Sequence, residues 1–202
     1  SYGLIVGKKG QVVGNMPWNL AFITDTISDF NLFYRGGINM FPAYLSIENE
    51  NSLLNTEKSR IPNMNLDEIL IIENKIDLKF VAEKSDIKNT FSPIDLIDYI
   101  YSVLYSSKYR EKYKEFLKIN FPVIPYPKNQ STFWALVKLG CELRSFHLLE
   151  HSKTEDYITT YPKDGDNTIT RKMTSKSIGY EPTTDTHGKV WINNEQYFDG
   201  VP

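Results

Sequence analysis

The sequence of 202 residues has little of what builds disulfide, zinc or membrane structures. It contains one cysteine, Cys141, and three histidines, which is too few for a disulfide framework or a Cys/His zinc site. No run of about 18 apolar residues occurs, so we expect no membrane-spanning helix. No charged-then-apolar leader opens the chain. Together with the single thiol, this predicts a reducing, cytoplasmic location.

Catalytic signatures are also missing. The sequence lacks a Gly-x-x-x-x-Gly-Lys-Ser/Thr phosphate loop, a Gly-x-Ser-x-Gly nucleophile and a His-Glu-x-x-His zinc motif. The acid pairs Asp25/Asp29 and Asp95/Asp98 are typical of a loop and of a helix start rather than of an acid–base site. We therefore predict no catalytic residue, no metal ligand and no bound cofactor in this chain.

Charge is unevenly distributed along the chain. The net charge of −2 excludes binding to nucleic acid by bulk charge alone. Residues 107–150 form the one basic segment, with eight basic and four acidic side chains. Four of its basic residues suit a DNA backbone or, more simply, a solvated helix face: Lys108, Arg110, Lys112 and Lys114.

Residue periodicity predicts an α+β fold with N-terminal strands, a helical middle of three to four helices and a small C-terminal β meander. Strands are predicted over residues 2–7, 11–14, 20–24 and 40–47, and again over 168–170, 177–180 and 189–192. We treat residues 1–202 as a single domain with three parts. These are strands and loops at 1–64, helices at 65–151 and a β-rich part at 152–202.

Helix starts are marked by capping residues. Asn65 with Glu68, and Ser92 with Pro93 and Asp95, are typical N-terminal signals.

Two further helices are predicted from capping and periodicity. Ser107 is the predicted cap of a helix at 108–118, and a long helix is predicted at 131–150. The first half of the long helix is apolar nearly all round, so we expect it to be central. Four aromatic residues on apolar stripes are predicted to lie in the core: Tyr101, Phe116, Phe133 and Trp134.

Several segments match one family in consistent order along the chain. They are Tyr2–Gly7, Trp18–Asp25, Phe41–Leu45, Pro93–Tyr101, Tyr109–Tyr113, Phe121–Pro127, Phe133–Glu150 and Val190–Phe198. Together they resemble the C-terminal region of Type ISP restriction–modification polypeptides. The stretch from Tyr-Arg-Glu-Lys-Tyr at 109–113 to Pro-Tyr-Pro at 125–127 is the most specific part.

The resemblance implies a function. Polypeptides of this family join a nuclease, an ATP-driven DNA motor, an adenine-specific methyltransferase and a target recognition domain. This chain resembles the last part, a sequence-specific reader of double-stranded DNA that is non-catalytic by itself. The resemblance implies S-adenosylmethionine, ATP and Mg²⁺ in other domains, and the methyltransferase domain of the same polypeptide as a partner.

Base reading needs long polar side chains on loops that a rigid scaffold holds. The candidates in two loops, with Arg35 first, are Lys8, Lys9, Gln11, Asn15, Asn31, Arg35 and Asn39. Lys128, Asn129 and Gln130 precede the long helix, whose N-terminus suits a phosphate. Helix capping is the simpler interpretation of these three, and solvated loop side chains are the simpler interpretation of the others.

Two other functions stay open. In the first, the chain is a structural clamp or docking domain that packs on the methyltransferase, and other segments read the bases. In the second, it is an independent enzyme, which would need a deep pocket with titratable groups such as Asp25 with His147 or His151.

Overall fold

The structure, a computed structural model, describes residues 2–12, 14, 16–47, 59–174 and 179–202. They form a large unit, Ser1–His151, and a small unit, Ser152–Pro202. Residues 1–64 and 65–151 lie in the same unit. The described residues contain four α-helices and several small sheets, which confirms the predicted α+β class.

The described helices are α1 (Leu66–Ile76), α2 (Pro93–Tyr105), α3 (Ser107–Lys112) and α4 (Gln130–His147). The strands of the large unit are β1 (Gly3–Val6), β2 (Ala21–Thr24), β3 (Asn39–Pro42), β4 (Tyr44–Ile47), β5 (Ser59–Pro62), β6 (Lys79–Phe80) and β7 (Thr90–Phe91). The strands of the small unit are β8 (Tyr180–Pro182), β9 (Gly188–Trp191) and β10 (Tyr197–Val201). Short 3-10 turns cover Lys9–Gln11, Phe116–Lys118 and Ser152–Glu155.

The first sheet has the strand order β2-β1-β3, and both pairings are antiparallel. All four residues of the central strand β1 are buried, as an uninterrupted apolar strand requires. The predicted return strand at 11–14 is wrong, because Lys9–Gln11 is a 3-10 turn and β2 takes the place beside β1. The Gln11 side chain closes this turn by accepting a hydrogen bond from the Lys8 backbone N–H at 2.7 Å.

The strand predicted at 40–47 is two strands. β3 pairs with β1, whereas β4 pairs with β5 in a separate two-stranded sheet. The chain changes sheets at the fully buried Ala43, whose N–H donates to Tyr2 O and whose carbonyl accepts from Asn63 N, both at 2.9 Å. Ala43 thus bonds to the segment before β1 through its N–H and to the segment after β5 through its carbonyl. These two bonds divide the stretch that the sequence predicts as one continuous strand.

Both predicted helix starts are confirmed. The Asn65 side chain accepts hydrogen bonds from Asp67 N at 2.9 Å and from Glu68 N at 3.3 Å. At the start of α2, Asp95 Oδ2 accepts from Ser92 N at 2.9 Å, which forms a capping box.

The central helix is α2 rather than α4. Ten of the thirteen α2 residues are buried, including Asp98, whereas α4 buries one stripe that ends at Arg144. Leu139, on the other side of α4, is 58% exposed. The prediction that the long helix is central was wrong, because the acidic residue Asp98 made α2 look less buried than it is. Arg144 pairs with Asp98, with contacts of 2.7 Å and 3.1 Å between the guanidinium and the carboxylate, so this acid can be buried.

The third helix is shorter than predicted. Its cap is Ser106, whose hydroxyl accepts from Tyr109 N at 3.3 Å, and α3 ends at Lys112. After the break, Leu117 points inward while Phe116 is 71% exposed, so the prediction that Phe116 lies in the core is wrong. Tyr101 and Phe133 are fully buried, and Trp134 packs partly buried against the core.

A proline-rich segment, residues 121–127, returns along α2 to the start of α4. Tyr109 donates its hydroxyl to Val123 O at 3.0 Å, and Tyr99 donates to Pro125 O at 2.7 Å. Burial raises the pKa of Tyr99 to about 12, so this hydroxyl remains a donor at neutral pH. The segment thereby sets α4 beside the start of α2.

The small unit is an antiparallel sheet in the order β10-β9-β8, which confirms the predicted C-terminal meander. Of the strands predicted there, the one at 189–192 corresponds to β9. Residues 168–170 form no strand. The backbone N–H of Thr170 donates to Ile192 O, but this hydrogen bond is not part of a pair of β-strands. The prediction at 177–180 lies mostly outside the described residues, and β8 begins at Tyr180.

Gln196 occupies the interior of the small unit and is only 2% exposed. Its Oε1 accepts from Asn167 N at 3.0 Å and from Asn193 Nδ2 at 2.9 Å, while its Nε2 donates to Asn167 Oδ1 at 2.9 Å. Among the described residues of this unit, no apolar side chain is fully buried. The interior of the small unit is therefore organised by hydrogen bonds between amide groups, whereas that of the large unit is organised by packed apolar side chains.

Candidate nucleic-acid interface

Arg35 lies in a loop, residues 29–38, that is closed by its own backbone and anchored on the first sheet. Gly36 N donates to Phe33 O at 2.9 Å, and Ile38 N donates to Phe30 O at 3.4 Å. Phe33 is only 4% exposed, and its ring lies 5.4 Å from that of Phe22 on β2. We call this segment the Arg35 loop.

The backbone at the tip of the Arg35 loop is left-handed over three residues. The φ angles are 69° at Arg35, 67° at Gly36 and 79° at Gly37, a region that L side chains rarely adopt. A Cβ atom at Gly36 would also lie 2.8 Å from Asn31 Oδ1. Of these three residues, only Arg35 has a side chain, and for it this conformation costs roughly 1–2 kcal/mol.

The Arg35 side chain points outward. It is exposed, and its guanidinium lies 5.2 Å from the centroid of the Tyr34 ring. Within the described part of the chain, the guanidinium makes no ion pair and no hydrogen bond. Its donors are therefore available to an external acceptor.

The first loop is the predicted loop that carries Lys8, Lys9, Gln11 and Asn15, and Gln11 joins it to the Arg35 loop. Its Nε2 donates to Gly36 O and, at 2.7 Å, to Gly37 O, while its Oε1 accepts from Lys8 N. The whole amide is engaged inside the protein, which is at odds with the predicted role of Gln11 in base reading. Its side chain instead brings the two loops together into one surface.

Asn39 is also engaged inside the protein rather than on its surface. The side chain lies half-buried on β3, where Nδ2 donates to Gly37 O at 3.3 Å and to Val6 O at 3.5 Å. This too is at odds with base reading. Asn31 is exposed near the tip of the Arg35 loop, where its backbone N–H donates to Asp29 Oδ1 at 2.6 Å.

Lys8 is the second exposed basic residue of this surface. Its ammonium lies 4.8 Å from the centroid of the Phe121 ring, a cation–π distance. Of Lys9, the structure describes only the backbone within its 3-10 turn, and Asn15 lies outside the described residues.

Lys128, Asn129 and Gln130 lie away from the two loops. Asn129 caps α4 by accepting a hydrogen bond from Thr132 N at 2.8 Å, and the other two side chains are exposed. The start of α4 packs near the start of α2, whereas β2 packs at the other end, where Tyr105 donates to Ala21 O at 3.0 Å. The length of α2, roughly 20 Å, thus separates these residues from the loops.

A basic concave surface lies beside the first loop; the sequence named Arg110 and Lys114 as residues that suit a DNA backbone, but it did not predict the cleft or the part of Lys118. This cleft has a volume of about 500 Å³ and is lined by Met16, Pro17, Trp18, Ser107, Arg110, Glu111, Lys114 and Lys118. The 3-10 turn Phe116–Lys118 lies against the turn Lys9–Gln11, so the cleft adjoins the Lys8 side of the surface. Its signal in the sequence is the four-residue spacing of three basic side chains at 110, 114 and 118.

The described residues also include an apolar cavity and two histidines with partners inside the protein. An apolar cavity of about 250 Å³ lies between β1, α2 and the proline-rich segment, lined mainly by aliphatic side chains, Phe41 and Phe121. His147 bonds through Nδ1 to the buried Tyr101 hydroxyl at 2.6 Å, and His151 stacks on Phe146. In the part of the chain described, no cluster of acids, histidines or cysteine is arranged to hold a metal, and no helix is long and apolar enough to cross a membrane.

The fold and this surface define an α+β domain that presents polar loops on a buried scaffold. The chain belongs to the Type ISP C-terminal specificity domain family, whose model matches residues 3–202. This confirms the family that the sequence resembles. A search of curated protein sequences gave no match.

A solved structure has a similar fold. It is that of the ATP-dependent Type ISP restriction-modification enzyme LlaBIII bound to DNA, with 21% identity and a TM-score of 0.68. The match covers 100% of this chain and 11% of that chain. This chain therefore spans about a tenth of the length of the enzyme it resembles.

Proposed function

We propose that this chain is a sequence-specific double-stranded DNA recognition module within a larger restriction–modification polypeptide. The observation that carries the proposal is the exposed guanidinium of Arg35 at the tip of an anchored loop, where it has no hydrogen bond or ion pair to the described residues. Membership of the specificity-domain family and a similar fold in a DNA-bound enzyme support it.

Arginine suits this role because its planar fork donates to O6 and N7 of guanine at once, and such a pair contributes roughly 1–3 kcal/mol of discrimination. No bond to a described residue has to break before the Arg35 side chain meets a base. Phe33 and Gln11 already order the loop backbone, which lowers the entropic cost of binding.

The chemistry belongs elsewhere in the polypeptide under this proposal. An adenine-specific methyltransferase domain would bind S-adenosylmethionine, and an ATP- and Mg²⁺-dependent motor with a nuclease would cut DNA. The chain described here would contribute no catalytic group and would pack on the methyltransferase domain. The single free thiol, Cys141, suits a reducing cytoplasm.

The proposal is tested by titrating the chain against a selected duplex and a random duplex at several salt concentrations. Arg35→Ala is expected to lose roughly 1–3 kcal/mol of discrimination between them. Arg35→Lys is the matched variant, because it keeps the charge and loses the fork. It should retain affinity for random DNA and lose most of the discrimination. Equal discrimination by all three proteins would contradict the proposal.

A clamp or docking domain is the second candidate, and one observation favours it. Four large apolar side chains in and just before the Arg35 loop are exposed: Ile27 by 95%, Phe30 by 64%, Leu32 by 50% and Tyr34 by 52%. Clustered apolar exposure is typical of a surface that another protein domain covers. A salt-dependent affinity without any discrimination between the duplexes would favour this function.

A further inference from the structure

Arg110 is a half-buried cation, and one of its guanidinium nitrogens, Nη2, is fully buried. Its Nε donates to Leu104 O at 2.6 Å, and its guanidinium lies 4.7 Å from the centroid of the Tyr105 ring and 5.6 Å from that of Trp18. Among the described residues, Arg110 forms no ion pair, and its buried Nη2 has no hydrogen-bond partner. A buried donor without an acceptor is destabilising, and a small shift of the guanidinium toward an anion in the cleft that Arg110 lines would satisfy it.

Two ammonium groups converge on the same cleft. Lys114 and Lys118 line it together with Arg110, and their side chains are 57% and 45% exposed. Each forms an ion pair with a glutamate three residues earlier, at 2.7 Å to Glu111 and 2.5 Å to Glu115. Exposed pairs of this kind contribute little to stability, so an external anion can replace them.

The donor set identifies the class of ligand. A forked guanidinium, two ammonium groups and the Ser107 hydroxyl suit an anion with several acceptor oxygens, and phosphate is such an anion. The segment 107–118 carries five basic and two acidic residues. Burial lowers the pKa of Arg110, because desolvation disfavours the charged form of a cation.

The cleft and the reading surface share their support. Trp18, at the wall of the cleft, donates its indole N–H to Gly7 O at 2.9 Å, at the end of β1. From there the first loop continues to Gln11, which bonds to the Arg35 loop. The cleft and the Arg35 loop are therefore both attached to the segment Gly7–Gln11.

We propose that Arg110, Lys114 and Lys118 form a cleft that holds a phosphate of the DNA backbone beside the Arg35 loop. This inference rests on the proposed function, which supplies the duplex. Backbone contacts fix position and orientation without reading sequence. The cleft thus contributes affinity for the duplex beside the Arg35 loop without contributing to discrimination.

The test replaces both lysines, Lys114→Gln with Lys118→Gln, in the full chain. The matched control is Lys88→Gln with Lys138→Gln, which removes the same charge from exposed positions outside the cleft. Affinity for selected and random duplexes is measured against salt concentration. Each lost phosphate contact is expected to reduce the slope of log K against log salt by about 0.9, and to weaken binding at 0.1 M salt by roughly eightfold.

The outcomes separate the two proposals. A reduced slope with an unchanged ratio between selected and random duplexes supports the cleft, and the control pair should keep the wild-type slope. A wild-type slope in the Lys114/Lys118 variant would overturn the cleft while leaving base reading by Arg35 intact. A reduced slope without any discrimination by the wild-type chain would support the cleft and contradict the reader.

A second measurement identifies the source of the phosphate. Inorganic phosphate is titrated while the NMR signal of the Trp18 indole N–H is followed, in the wild type and in Arg110→Lys, which keeps the charge. We expect a weak response that Arg110→Lys reduces. A strong response to inorganic phosphate together with an unchanged duplex slope would assign the cleft to a free anion and overturn the backbone assignment.

Discussion

The two units of this chain are stabilised in different ways. The large unit buries a continuous set of aliphatic and aromatic side chains around α2, and its one deeply buried ion pair, among described residues, joins Asp98 to Arg144. The small unit has no fully buried apolar side chain among its described residues and is organised around the Gln196 amide. Chains of about 50 residues rarely form a sufficient apolar core, so directional hydrogen bonds must specify the small unit.

The difference has a consequence for the candidate interface. The Arg35 loop, the first loop and the cleft all belong to the large unit, whose buried residues hold Phe33 and Trp18 in place. Loops held by such a scaffold are already ordered in the free protein. Less entropy is then lost when they bind a ligand. The small unit contributes none of the residues on which the proposals depend.

The largest expected effect is at the contact between α2 and α4. In Gly140→Ala, the new Cβ would lie 1.8 Å from the carbonyl oxygen of Asp98, which is backbone and unable to rotate away. The helices would have to separate and weaken the core of the large unit. We expect a loss of roughly 3 kcal/mol or more in the free energy of unfolding, the upper end of overpacking, measured by denaturant titration.

Gly10→Ala is the matched control for that substitution. A Cβ at Gly10 would meet no atom within 4 Å, so its effect should stay within about 0.5 kcal/mol. If Gly140→Ala unfolded at the same denaturant concentration as Gly10→Ala, the close approach of the two helices would not exist in solution.

A smaller effect is expected when the amide at the centre of the small unit is removed. Gln196→Met keeps the size of the side chain but leaves Asn167 N and Asn193 Nδ2 without their acceptor. We expect a loss of about 1–3 kcal/mol, confined to residues 152–202. Amide hydrogen exchange should become faster there, while the amides of α2 keep their protection.

Glu195→Gln is the control for the small unit, since Glu195 is exposed and lies 3.8 Å from Lys163 in a surface pair. It should leave exchange nearly unchanged. If Gln196→Met exchanged like this control, the amide network would not be what stabilises the small unit, and the contrast between the two units would disappear.

Local chemistry made part of the fold predictable. Asn65 and Ser92 identify the starts of α1 and α2 because a helix cap involves only residues three positions apart. The meander at the C-terminus follows from turn residues and alternation. The overall α+β class follows from the same signals.

The errors arose where distant residues decide the local structure. Arg144 compensates the charge of Asp98 from 46 positions away, so the sequence pattern made α4 look more buried than α2. Gln11 closes a 3-10 turn through Lys8 N and also bonds to Gly37, 26 residues further on, where the sequence predicted a strand. The role of Gln196 likewise depends on Asn167, 29 residues earlier.

The candidate site was partly predictable for the same reason. A polar residue beside two glycines identified Arg35 as an exposed loop residue, and its exposure follows. The engagement of Gln11 and Asn39 inside the protein depends on how the two loops meet. The Arg110 guanidinium lies against the rings of Trp18 and Tyr105. Both aromatic residues lie outside segment 107–118, so the sequence of that segment alone could not predict this position.

The most direct test of the central claim is an NMR titration of the full chain with a selected duplex, in which every backbone and arginine side-chain signal is followed. We predict the largest changes at Arg35 and its neighbours in the loop, with smaller changes at Lys8 and at Lys114 and Lys118. Changes confined to the small unit or to the start of α4, with the Arg35 signals unmoved, would contradict the account.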